Sequence, residues 1–114
     1  MSGIIKGTTP TFRFTIKDGT IDLSLASHVY ATVAQGGIKI TKIIPLEDIT
    51  VDEQNRPVIS VYLNQEESLK LKSGVIAEAQ VNWVYPDASR AATDPFVFEV
   101  KKNLIPYVLP TAED

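Results

Sequence analysis

Strict alternation of apolar and polar residues is the feature that most constrains the fold of this chain. In its longest alternating segment, VIAEAQVNWVY at residues 75–85, one set of alternate positions is apolar and the other carries Glu78, Gln80 and Asn82. Successive side chains of a β-strand point to opposite faces, so the segment is predicted to form a strand with one buried face. The same period of two recurs in TFRFTI and VISVYL.

Turn signals separate the alternating segments. Gln35, Gly36 and Gly37 lie between two β-rich runs and predict a hairpin, because glycine supplies the positive φ that tight hairpin turns require. Pro57 is expected at the start of a strand, where a missing N–H costs least. Asp94-Pro95 is expected to interrupt the last strand as a bulge or an edge.

The segment NQEESLKLKSG is the one helix candidate. Asn64 can cap it, Glu67 stands three residues later as in a capping box, and Gly74 ends it. About two helical turns fit there. With about six or seven strands and at most one short helix, the chain is predicted to be all-β, an antiparallel β-sandwich of immunoglobulin-like or jelly-roll-like type.

The predicted sandwich covers residues 1–102, and residues 103–114 form an extended tail that contains Pro106 and Pro110. A chain of 114 residues suits one domain. The strand phases predict that six large residues are buried: Phe12, Phe14, Val81, Trp83, Phe96 and Phe98.

Composition removes several classes of function. The chain has no cysteine, which excludes disulfides, thiolate metal sites and a cysteine nucleophile. Its net charge is −3 with no concentrated basic face, so we expect no nucleic-acid partner. No segment has the apolar length of a membrane helix or of a signal peptide, so neither a membrane partner nor a leader is predicted.

Residues that carry chemistry are few. His28 is the one histidine and has no neighbouring ligand in sequence, so it is predicted to be a surface residue at a strand end. Neither a phosphate-binding glycine loop nor a nucleophile elbow is present. We therefore predict no catalytic, cofactor-binding or metal-binding residue and no enzymatic activity. One acidic group leaves calcium open beside a solvated strand face: Glu47, Asp48, Asp52 and Glu53.

Three aromatic residues leave a second function open. Tyr62, Trp83 and Tyr85 would form a sugar-binding platform if they were exposed together, as in a small carbohydrate-binding β-sandwich. Trp83 lies in the apolar phase of the longest strand, which favours a place in the core.

Both ends of the chain are apolar and lie outside the clearest strands. Exposed apolar segments mark association sites, so the ends are predicted to form an interface. Pro106 and Pro110 keep the second end extended, able to lie in a groove or to add to a sheet edge. The predicted interface residues are Ile4, Ile5, Ile105, Tyr107, Val108 and Leu109.

Two stretches together resemble a known family. They are IIKGTTPTFRFTI near the start, and VYLNQEESLKLKSG followed by AQVNWVYPDASRAATDPFVFEV. They are similar to small tail-region proteins of phages and prophages of Gram-positive bacteria, and to the N-terminal domain of phage baseplate upper proteins. The resemblance covers about residues 3–102. It is carried by Gly7, Thr8, Thr9, Pro10 and Thr11, and by Leu63, Gln65, Glu66 and Glu67; Asn64 and Ser68 stand where the family commonly has threonine.

The resemblance implies a β-sandwich without catalytic residues that attaches to the core of a phage tail or baseplate. The implied partners are other tail or baseplate proteins or further copies of the chain, and the implied location is the virion after assembly in the host cytoplasm. It also gives the opening GTTP segment a role. Pro10 fixes its own φ, Thr9 is kept extended and Gly7 permits a bend, so the N-terminal ribbon would enter the sandwich at a set angle.

Overall fold

The computed structural model describes residues 3–17, 23–105 and 107–109. Within these ranges the chain forms nine strands, one α-helix and two short 3-10 turns. The strands are β1 (Gly3–Ile5), β2 (Thr11–Thr15), β3 (His28–Gln35), β4 (Ile38–Ile44), β5 (Thr50–Val51), β6 (Pro57–Tyr62), β7 (Ile76–Val84), β8 (Arg90–Ala92) and β9 (Phe96–Lys101). The helix α1 (Gln65–Leu69) joins β6 to β7.

The strands form two sheets. The larger has the order β1-β9-β7-β3-β4, with β8 pairing with the C-terminal part of β7, and the smaller has the order β2-β6-β5. All neighbouring strands are antiparallel except β1 and β9, which are parallel. In the larger sheet β9-β7-β3-β4 follow the G-F-C-C′ strand order of an immunoglobulin-like sandwich. In the smaller sheet β2-β6-β5 follow its B-E-D order. The predicted all-β sandwich is thus confirmed.

Three of the strands are only two or three residues long. They are β1, β5 and β8. The expected interruption at Asp94-Pro95 separates β8 from β9, and the Thr93 backbone N–H between them donates to the Val81 carbonyl at 2.9 Å. One long antiparallel partner of β7 is therefore divided into two short ones.

The core lies between the two sheets. Val81, Trp83 and Phe98 are buried as predicted, whereas Phe12 and Phe14 are only partly buried. The predicted burial of Phe96 is wrong, because its side chain is 40% exposed. Phe96 begins β9, and among the described strands the smaller sheet ends at β2, so no strand covers this position.

The GTTP segment carries the chain from the larger sheet to the smaller one. Gly7 has a φ of 83°, and the Thr8 N–H and hydroxyl both donate to the Ile5 carbonyl, at 3.2 and 2.6 Å. The buried hydroxyl of Ser68 then donates to the Thr8 carbonyl at 2.6 Å. These contacts fix the corner between β1 and β2, in agreement with the role expected for this segment.

Gln35 is the last residue of β3, and its side chain is buried. Its Nε2 donates to the carbonyls of Lys72 (2.8 Å) and Val75 (3.0 Å), and its Oε1 accepts the Lys72 N–H (2.6 Å). One side chain thereby fastens the end of β3 to the connection between α1 and β7.

The predicted capping box is present at the start of α1. Asn64 Oδ1 accepts the Glu67 N–H at 2.8 Å, and Glu67 Oε1 accepts the Asn64 N–H at 3.0 Å. The same Oε1 lies 2.8 Å from Lys42 Nζ on β4. Partial desolvation raises the pKa of Glu67, but the hydrogen bonds and charge of Lys42 and the Asn64 N–H outweigh it, so the net pKa is lowered.

We expect the stabilising effect of Glu67 to depend on pH. The folded pKa lies below the usual 4.5, so the contribution is present above pH 4.5 and is lost as the pH falls through the lowered value. Urea titrations should therefore show Glu67→Gln to be less stable than the natural chain at pH 7, with the gap closing in acid. Glu66→Gln, at the neighbouring exposed position, is the matched control; an equal gap at pH 7 and pH 3 for Glu67→Gln would contradict the assignment.

Candidate protein-binding groove

Strand β2 has an open edge. The Leu63 N–H donates to the Pro10 carbonyl at 3.1 Å, and the Ile16 N–H donates to the Pro57 carbonyl at 2.9 Å. In antiparallel pairing these bonds recur at every second residue, so the backbone N–H and C=O groups of the even-numbered residues of β2 point towards β6. The backbone groups of Thr11, Arg13 and Thr15 point away from β6, and none of the other described strands pairs with that edge.

An apolar groove runs beside this edge, between β2 of the smaller sheet and β9 of the larger one. Its first section has a volume of about 530 Å³. Its second section, of about 580 Å³, shares Arg13, Phe14 and Phe96 with the first and continues along Thr93–Pro95. The first section is lined mainly by Ile4, Pro10, Phe12, Phe14, Phe96 and Phe98.

Four phenylalanine rings form the apolar surface of the groove. The ring centres of Phe12 and Phe98 are 4.9 Å apart, and Phe96 lies 6.3 Å from both Phe14 and Phe98. The Phe14 and Phe96 rings meet edge to face at 87°. Phe98 is fully buried while Phe96 is partly open to solvent, so the rings lead from the core to the rim.

Charged groups lie at the mouth of the groove. Arg13 is exposed and points to the outer side of the smaller sheet, and Lys17 follows two residues after β2. Asp94 stands on the opposite wall. An open strand edge beside an apolar groove suits an extended peptide, which would gain main-chain hydrogen bonds from the edge and apolar contacts from the groove.

The six predicted interface residues fall into two groups. Ile4 is buried in the core, because alternation in β1 turns its side chain between the sheets, where it also lines the first section of the groove. Ile5, Ile105, Tyr107, Val108 and Leu109 are exposed.

The chain after β9 passes along α1. Asn103 Nδ2 donates to the Lys6 carbonyl at 2.9 Å. Leu109 and the Gln65 side-chain amide then exchange two hydrogen bonds, at 2.8 and 3.3 Å. The described hydrogen bonds between residues 104–109 and residues 3–102 therefore come from one side-chain amide, that of Gln65.

Titratable side chains outside the groove lie in structural settings. His28 is exposed and stacks on Tyr30, with ring centres 6.1 Å apart. Asp52 accepts the backbone N–H groups of Arg56 and Gln54 and pairs with the Arg56 guanidinium, which lowers its pKa. The Ser89 hydroxyl and N–H likewise lower the pKa of Asp87.

The acidic group considered for calcium contains no cluster of three ligands. Within the described part of the chain, no three His, Cys, Asp or Glu residues come together to hold a metal ion. Asp52 serves a turn, as its contacts with Arg56 show. No described helix is both long and apolar enough to cross a membrane.

The three aromatics considered for sugar binding do not share an exposed face. Trp83 is only 2% exposed, and its Nε1 donates to the Tyr85 hydroxyl at 3.0 Å. Tyr62 is exposed on β6 and lies beside the ammonium of Lys42.

Sequence reasoning missed the groove because it depends on which strands are neighbours. Alternating phase alone predicts that Phe12, Phe14 and Phe96 lie in the core. The one available signal was the position of Phe96 directly after Asp94-Pro95, since a strand that starts after such a break has an uncovered end.

Comparisons with known proteins give a structural likeness but no match to a family model or a curated protein. No protein-family model matches the chain, and no curated protein matches it. Among solved structures, murine CRIg is similar at 13% sequence identity over 89% of this chain and 90% of that chain, with a TM-score of 0.40.

Proposed function

We propose that this chain is a non-enzymatic structural component of a phage or prophage tail or baseplate, where it acts as a protein–protein attachment domain. The observation that carries the attachment role is the open edge of β2 beside the apolar groove. A strand edge and an apolar groove side by side are features of peptide-binding sheets. The tail location rests on the sequence resemblance in the GTTP and LNQEE segments.

The titratable groups support a structural role over a catalytic one. Perturbed pKa values often mark active sites, but structural networks also produce them. Here Asp52 and Asp87 stabilise turns, and Glu67 belongs to a helix cap. The carbohydrate-binding alternative receives no support from Trp83, whose ring is buried.

Incorporation into particles tests this function. Phe96→Lys places a charge on the exposed rim of the groove, and Ile43→Lys places the same charge at an exposed position of β4. Tail particles purified from the producing host should contain the natural chain and Ile43→Lys, whereas Phe96→Lys should be largely lost because a charge is costly to desolvate in an apolar contact.

Two results would overturn the proposal. The first is the absence of the natural chain from purified particles, and the second is equal incorporation of the natural chain, Ile43→Lys and Phe96→Lys. Circular dichroism on both variants establishes that a loss from particles is a loss of binding and not of folding.

A further inference from the structure

We propose that the groove beside β2 receives the segment Leu104–Leu109 of a second copy of this chain, which adds a strand to the open edge. This inference deepens the proposed attachment function and rests on it. It names the occupant of the groove, and so predicts that copies join head to tail.

The segment is apolar and available. Leu104 is 86% exposed, and the other described apolar side chains of the segment are each at least 42% exposed. After β9 the chain is held at Asn103, which is bonded to the Lys6 carbonyl. Beyond that point the described hydrogen bonds between the segment and residues 3–102 come from one side-chain amide, Gln65, which water can replace when the segment leaves.

The prolines fit one pairing phase only. Successive residues of a strand direct their backbone groups to opposite edges, and proline has no N–H to donate. Pro106 and Pro110 are both even-numbered, so they share a phase. In the opposite phase, Ile105, Tyr107 and Leu109 all keep an N–H, and these can bond to the edge of β2.

The edge of β2 presents the matching phase. Its outward backbone groups belong to Thr11, Arg13 and Thr15, three alternate residues over a five-residue strand. At about 3.3 Å per residue, three alternate residues on each strand cover the same length. In this phase the backbone groups of Pro106 and Pro110 face away from β2. Because proline has no N–H to donate, the outer edge of the added strand cannot continue the sheet.

The same pairing sorts the side chains. Phe12 and Phe14 point into the groove, so the even-numbered residues of the added strand, Leu104 and Val108 among them, face the phenylalanine rings. Tyr107 lies on the outer face beside Arg13, where a guanidinium and an aromatic ring attract each other.

Basic residues lie beside the edge of β2, and acidic residues follow the segment in the sequence. Arg13 lies on β2 and Lys17 follows it, and both are exposed. The residues that follow the segment include Glu113 and Asp114. Within the described part of the chain, no salt bridge engages Arg13 or Lys17.

The absence of cysteine makes a direct test available. Arg13→Cys and Tyr107→Cys are prepared as two separate full-length proteins, both altered at exposed positions, and mixed under mild oxidation. A disulfide forms only where the two Cα atoms come within about 7 Å. We expect the mixed dimer to form with a several-fold higher yield than in a mixture of Lys39→Cys and Tyr107→Cys, because Lys39 is exposed on β4 of the larger sheet.

A second variant makes the test specific. Leu104→Asp and Val108→Asp, added to the Tyr107→Cys protein, should abolish the excess of mixed dimer by placing carboxylates against the phenylalanine rings. Light scattering should show a mass that rises with the concentration of the natural chain and a constant monomer mass for this variant.

Mixed-dimer yields equal to those of the Lys39→Cys control, or yields unchanged by the aspartates, would overturn the second copy as the occupant. If Phe96→Lys is still lost from tail particles in that case, the attachment function stands and the groove receives another protein. If the mixed dimer shows no excess over the control and Phe96→Lys is incorporated into tail particles as well as the natural chain, both proposals fall.

Discussion

Phe98→Ala should lower the free energy of unfolding by about 3–5 kcal/mol, the largest loss that we expect from any substitution discussed. Phe98 is fully buried in β9 and its ring centre lies 4.9 Å from that of Phe12. Truncation removes the apolar contacts of the ring and leaves a cavity where the two sheets meet. A urea titration followed by tryptophan fluorescence measures the loss, since Trp83 is buried in the same sheet.

Phe96→Ala is the matched control for this experiment. Phe96 stands two residues earlier on the same strand and the same side, but part of its ring is already in solvent. Its removal should therefore cost less than half as much as the removal of Phe98. Equal losses for the two variants would mean that the groove is closed in solution.

Gln35→Met should lower the free energy of unfolding by about 1–3 kcal/mol, although the two side chains have similar lengths. The substitution leaves the Lys72 N–H and the carbonyls of Lys72 and Val75 without their present partner. The effect should appear in urea titrations. Hydrogen exchange should also be faster at the Lys72 amide, whose bond to Gln35 is lost.

Gln54→Met tests whether methionine itself is responsible. Gln54 lies in an exposed turn, where its backbone N–H, and not its side chain, bonds to Asp52. This variant should change stability by less than about 0.5 kcal/mol. A Gln35→Met protein as stable as the Gln54→Met protein would show that water replaces the glutamine.

The sequence predicts those parts of the fold that depend on neighbouring residues. Alternation locates β7, the two glycines locate the hairpin between β3 and β4, and Asn64 with Glu67 locates the start of α1. Each of these signals is local, because strand phase, turn conformation and helix capping are decided within a few residues.

The features that were missed depend on distant parts of the chain. The sequence predicts Gln35 at a turn because two glycines follow it, and it does not predict the buried contacts of its side chain because the partners lie 37 and 40 residues away. Phe96 was assigned to the core because its phase is apolar, yet its exposure depends on where the smaller sheet ends. The groove follows from the same fact, so its lining residues were recognised as apolar but not as a site.

The parallel pairing of β1 with β9 has a mechanical consequence. Gly3 pairs with Glu99 and Ile5 with Lys101. The first and last described strands of the chain therefore run side by side in the same direction. If the chain were pulled from a point before Gly3 and a point after Lys101, the two strands would be drawn past each other in shear. The hydrogen bonds between them, including that from the Lys6 N–H to the Lys101 carbonyl at 2.9 Å, would share the load instead of opening one by one. A domain linked in this way resists extension along its length before its core is strained.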